Sequence, residues 1–204
     1  MTTHEHPVIV GSAASASRAV GAMFFTISGG AWLVIGVLKG YGMLLVALLP
    51  IVAATLLLFY AALRKFRENR AAHAAESNSP ESKRAERVFN VVNAIQWSLV
   101  FVASVVLIIL RHPEWIIPVI ILIVGIHFFP LAVAFKVPRH YATGAAMTLL
   151  AIIYPFMASG GPKSPVGCFG AGILLWASAV AALVGPGQTE DKPPNQTQSH
   201  PAGG

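Results

Sequence analysis

Residues 115–135 read WIIPVIILIVGIHFFPLAVAF, an apolar run that holds one ionisable side chain, His127. At 1.5 Å of rise per residue, a helix of this length reaches ~30 Å, the thickness of a bilayer's hydrocarbon core. A group that can carry charge is costly at that depth and normally faces a partner or a cavity. This stretch therefore fixes a membrane-spanning helix and marks His127 as the first candidate for function.

The rest of the chain repeats the pattern. Of its 204 residues 55% are hydrophobic and 11% charged, whereas ordinary soluble domains carry about 25% charged residues. Mean hydropathy is +0.68. Six apolar runs predict helices over Ala19–Leu38, Tyr41–Leu63, Val88–Leu110, Trp115–Phe135, Tyr141–Ala158 and Gly167–Val184. The fold class is an all-α integral membrane bundle of about six helices. Residues 1–18 read as a cytoplasmic N-terminal tail and 19–184 as the transmembrane domain, with a cytoplasmic loop at 64–87. Residues 185–204, rich in Pro, Gln, Thr and Gly, read as a disordered cytoplasmic tail. The first run is long enough to stay as an anchor, and no apolar core precedes it, so no removable signal peptide is expected.

Charge orients the bundle. The 64–87 segment carries Arg64, Lys65, Arg67, Arg70, Lys83, Arg84 and Arg87. Placing it in the cytoplasm also brings Arg18, Lys136, Arg139 and Lys192 inside, and leaves Lys39, Arg111 and Lys163 outside. The positive-inside rule then puts both termini in the cytoplasm of a bacterial inner-membrane protein. The net charge of +6 and the pI of 9.8 come from these loop residues, a pattern of topology and anionic-lipid contact instead of nucleic-acid binding. Arg64, Lys65, Arg67 and Arg70 are the candidate headgroup contacts. The Ala-rich stretch from Arg70 to Glu76 favours helix and could carry the second helix beyond the bilayer, until Ser77-Asn78-Ser79-Pro80 breaks it.

Polar groups inside the apolar runs are few. On the third helix Asn90, Asn93, Gln96, Trp97 and Ser104 fall within an arc of about 120°, which is expected to face the bundle because lipid offers amides no partners. The third and fourth helices are joined by Arg111-His112-Pro113-Glu114 alone. A tight antiparallel hairpin would set residues whose numbers sum to about 225 at equal depth. His127 then comes opposite Ser98, with Gln96 and Trp97 within a turn. Pro130 frees the carbonyl of Ile126 and predicts a kink beside His127. The candidate intramembrane polar site is therefore His127, Gln96 and Asn93, roughly 12 Å from the cytoplasmic end of the fourth helix. Packing hydrogen bonds of this kind are worth about 0.6 kcal/mol on average, so a purely structural role competes with a solute or proton site.

Catalytic and cofactor signatures are missing. Cys168 is the single cysteine, which rules out an intrachain disulfide and a multi-cysteine zinc site. His112-Pro113-Glu114 shares the His-x-Glu letters of zinc deaminases without their Pro-Cys-x-x-Cys partner, and no phosphate loop or nucleophile elbow occurs. No cofactor, no metal and no catalytic residue is expected. The helices contain no Asp, Glu, Lys or Arg at membrane depth, which disfavours ion-coupled transport. Gly167, Cys168, Ala171 and Gly172 give the sixth helix a small face suited to close packing.

The segment Gly125-Ile126-His127-Phe128-Phe129-Pro130-Leu131-Ala132, with the basic, aromatic turn Phe135–Gly144 that follows, resembles one found in small bacterial multipass membrane proteins. Those share a Gly-Leu/Ile-His-Phe-x-Pro-Leu-Ala helix, and the resemblance covers roughly residues 115–158. It implies a fold, with His127 and Pro130 as characteristic positions, and no particular activity. The expected function is that of a non-catalytic multipass protein acting through lipid or partner contacts. The alternative is a facilitator or transporter for a small neutral or weakly basic solute, with its site around His127. Membrane lipids are the expected partners; a homo-oligomer, or a protein docked on the 64–87 loop, stays open.

Overall fold

The computed structural model describes residues 6–42, 45–77 and 79–185; the expected C-terminal tail lies outside them. It is all-helical: α1 (His6–Tyr41), α2 (Leu45–Ser77), α3 (Pro80–Ile109), α4 (Ile116–Phe135), α5 (Arg139–Met157) and α6 (Val166–Val184), with short 3-10 turns at Pro113–Trp115 and Gly161–Lys163. Five helical stretches are long and apolar enough to cross a membrane; they lie in α1, α2, α3, α6 and Pro113–Phe135, which ends in α4. Polar residues in its first turns, Arg139 and His140, keep α5 out of that group.

Several helices run further than the apolar stretches require. α1 begins at His6, inside the segment expected to be a tail. Extending an existing helix adds a hydrogen bond for each residue fixed, so α1 runs back past Arg18 without needing strong helix formers there. α2 continues through most of the expected loop to Ser77, so its 33 residues reach ~50 Å. α3 starts at once on the other side. Ser79 is its N-cap, accepting from the Ser82 N–H at 3.1 Å, and Pro80 opens the first turn, where its missing N–H costs nothing.

Two groups of three helices make up the bundle. α1 packs along both α2 and α6, α4 packs along α5 and more lightly along α3, and α5 meets α6. Close approach depends on missing side chains. A Cβ added at Gly29 would stand 2.9 Å from the Gly172 carbonyl oxygen, and one at Gly172 would stand 2.8 Å from that of Gly29. Between α4 and α5 a Cβ on Gly144 would meet the Gly125 oxygen at 2.9 Å. Backbones this near gain dispersion contacts that bulkier residues would forbid. Two polar links tie α6 in place. The Trp176 indole donates to the Thr26 carbonyl at 3.1 Å, and the Thr143 and Ser178 hydroxyls pair at 2.8 Å.

The core has two parts. One joins Ala22, Phe25, Ala62, Phe128, Leu131, Leu175 and Ala179; the other joins Ile121, Met147, Ala151, Tyr154 and Ala171. Trp32 packs against both. Among the described residues α3 contributes no fully buried side chain, and it lies on the flank of α4.

Candidate functional site

Both ends of the bundle are recognisable from their charges. At one end Lys65 of α2 and Arg139 of α5 donate to the Leu183 and Ala181 carbonyls in the last turn of α6. The Leu183 carbonyl has no intrahelical donor, the Ala181 carbonyl also accepts from the Gly185 N–H at 3.0 Å, and both lie at the negative end of the helix dipole, which the two cations complement. Arg18 of α1 stands near enough to Arg139 for their charges to repel. Lys136 ends α4 in the left-handed conformation, φ 53°. Arg18, Lys65, Lys136 and Arg139 thus gather at the same end of the molecule. Lys39, Arg111 and Lys163 belong to the other, where Lys163 lies within electrostatic reach of Glu114 and His112 pairs with Glu114 at 3.1 Å.

The expected headgroup contacts differ among themselves. Arg64 pairs with Glu68 at 3.2 Å, one turn on, with both side chains more than half exposed. Arg67 and Arg70 are exposed. Lys65 is half-buried and committed to α6. Three of the four are therefore on the surface, and the fourth locks two helices together.

His127 is 8% exposed, and its Nδ1 has no hydrogen-bond partner among the described residues. The ring faces the Val92 backbone of α3 and meets Phe128 edge-on, with centroids 5.6 Å apart. α4 runs unbroken through Pro130. At the level of His127 the neighbour is Val92, where the hairpin expectation placed Ser98. The difference arises in the connection. Arg111 takes φ 62°, and the 3-10 turn Pro113–Trp115 uses axial length that a tight hairpin would not. Asn93 follows Val92 directly, and Gln96 lies one turn, ~6 Å, further along the axis. All three polar groups stay at similar depth.

They are not bonded to one another. Asn93 and Gln96 are half-buried, and among the described residues no hydrogen bond reaches either amide. Asn90 and Trp97 are exposed. Ser98 and Ser104 turn their hydroxyls back to the carbonyls of Ala94 and Val100, at 2.9 and 2.7 Å. Of the polar arc, Asn93 and Gln96 alone remain for His127.

The sequence reads His140 as an interfacial residue and gives it no part in the candidate polar site. It sits in the first turn of α5 with Phe25 at 5.8 Å and Phe128 at 5.9 Å between ring centroids, within electrostatic range of His127. The signal was present. Gly144, Met147, Ala151 and Tyr154 form the buried stripe of α5, and His140 extends that stripe one turn back at helical spacing.

The remaining features supply no competing centre. Cys168 is buried and free. Among the described residues no three His, Cys, Asp or Glu side chains come together as a metal would require. A cleft of about 610 Å³ beside α5 and α6 is lined by Leu149, Ile153, Met157 and Val166, apolar side chains that face outward. Compared with known proteins, the chain matches no family model, no curated protein and no solved structure.

Proposed function

We propose that this chain crosses a bacterial cytoplasmic membrane six times with both ends inside, and that it works without a catalytic centre by holding membrane lipid. The observation that carries the reading is the surface of α2. Leu56, Leu57 and Tyr60 are 62–70% exposed, and the exposed Arg64, Arg67 and Arg70 begin one turn further along the same helix. An apolar flank that passes directly into a basic band matches an acyl chain below its anionic headgroup. The gathering of Arg18, Lys65, Lys136 and Arg139 at one end supports the same orientation. α5 is the sixth span in this reading, its Arg139 and His140 lying at the cytoplasmic interface.

The purified protein is expected to melt at higher temperature in vesicles containing phosphatidylglycerol than in pure phosphatidylcholine. An Arg67→Gln/Arg70→Gln double variant is expected to lose most of that difference. Equal melting of both proteins in both lipids would sink the headgroup reading. A second reading, passage of a small neutral solute, is favoured by one observation, the buried His127 Nδ1 without a partner. Glycerol flux into vesicles that vanishes with His127→Ala would promote it over lipid holding.

A further inference from the structure

Three polar groups at one depth in this bundle have hydrogen-bonding capacity that the chain leaves unused. Nδ1 of His127 is buried and unpartnered. The amides of Asn93 and Gln96 are half-buried, with no hydrogen bond among the described residues. A buried group left in this state costs about 1–3 kcal/mol, and more where lipid replaces water. The two amides stand on α3 near the level at which the His127 ring meets Val92.

The chemistry of the missing partner can be read from the groups themselves. A neutral imidazole has one donor nitrogen and one acceptor. Nδ1, donor or acceptor according to the tautomer, is satisfied in either state by a hydroxyl, which both donates and accepts. Each amide both donates and accepts. No Asp, Glu, Lys or Arg stands on α3 between Val88 and Ile109 or anywhere on α4, so an ionised headgroup would find no countercharge at this depth. The ligand is therefore uncharged and carries hydroxyls. Access follows from the fold. α3 has no fully buried side chain among its described residues, and it scarcely touches α2. Asn93 and Gln96 can thus be reached from the lipid side, without a water-filled route through the bundle.

We propose that His127, Gln96 and Asn93 receive the hydroxyl-bearing head of a neutral glycerolipid, of the diacylglycerol class, entering from the bilayer beside α3. The site rests on the lipid-holding reading above and gives it a second, uncharged ligand class at greater depth than the basic band. Glycerol from the aqueous phase offers the same hydroxyls, and a second copy of the chain could pair its own amides with these; the test separates both.

The full chain is placed in phosphatidylcholine nanodiscs and labelled with a photoactivatable diacylglycerol. Saturable labelling on α3 or α4 is expected, falling about fivefold in Gln96→Leu, as the loss of one net hydrogen bond implies. His127→Phe should do the same, while Ser98→Ala, on the exposed side, labels normally. Unlabelled diacylglycerol should compete, and phosphatidic acid and glycerol should not. Gln96→Leu adds an apolar side chain to a half-exposed position, so it keeps the test open should His127→Phe fail to fold. Labelling indifferent to both variants overturns the site. So does equal competition by phosphatidic acid or by glycerol, or a dimer that Gln96→Leu converts to monomer while labelling stays unchanged. Saturable labelling confined to the basic end overturns this site and leaves the lipid-holding reading in place. A chain that does not stay with the disc overturns the six-span reading and the site together.

Discussion

His127 separates two kinds of polar residue in an apolar core. Thr143 and Ser178 bond each other, and Trp176 bonds Thr26; these groups close the structure on itself. His127 leaves a nitrogen open, as Thr26 and Thr148 leave their hydroxyls. Replacing His127 by Phe removes the cost of the unpaired nitrogen, about 1–3 kcal/mol, and adds an overpacking cost of about the same size. His127→Phe is therefore expected to change the unfolding free energy by no more than about 1 kcal/mol, as read from melting in detergent. A loss of several kcal/mol would make the imidazole a structural member of the core. His140, held between the rings of Phe25 and Phe128, belongs to the packed class.

Among the elements, glycine decides how near two helices come. Gly172→Ala would set a methyl 2.5 Å from Leu33 Cγ and 2.8 Å from the Gly29 oxygen. Backbone cannot retreat as a side-chain tip can, so the substitution is expected to cost about 1–3 kcal/mol. Gly21→Ala is the control. It lies on the same α1 with nothing within 4 Å of the added methyl, and is expected to stabilise by roughly 0.5–1 kcal/mol through backbone entropy. Opposite signs in chemical denaturation would support the contact; a similar small gain from both would refute it. The helices themselves were legible, because each apolar run is a local property and local hydrogen bonds make the helix. The faces that meet were not. The small face of α6 around Gly172 was legible as suited to close packing, while its partner Gly29, far off in the chain, was not. The level of His127 against α3 was missed for a related reason: a 3-10 turn and the positive φ of Arg111 shift the register, and neither is written in hydrophobicity. The polar arc was legible as a pattern, but Asn90 and Trp97 are exposed where the arc was expected to face the bundle, and Ser104 turns its hydroxyl back to its own backbone.

At the scale of the molecule, α6 is held by groups from two other helices. Lys65 and Arg139 cover its C-terminal carbonyls. Replacing both by alanine is expected to cost about 1–2 kcal/mol, with the loss diminished at high salt only as far as solvent reaches the pair. Hydrogen exchange would place the weakening in the last turn of α6; a uniform weakening of all helices would argue against a local clamp. The Trp176–Thr26 bond that seats α6 on α1 spans 150 positions of chain. If the chain spans a membrane as proposed, α1 would enter it while four helices that do not fill its α6 groove are still to be made. Its glycine face would then wait, covered by lipid or by the insertion machinery, until α6 arrives. A ribosome stalled before α6 would leave that face vacant, and quality-control proteases that seek loosely packed membrane helices would meet α1 first.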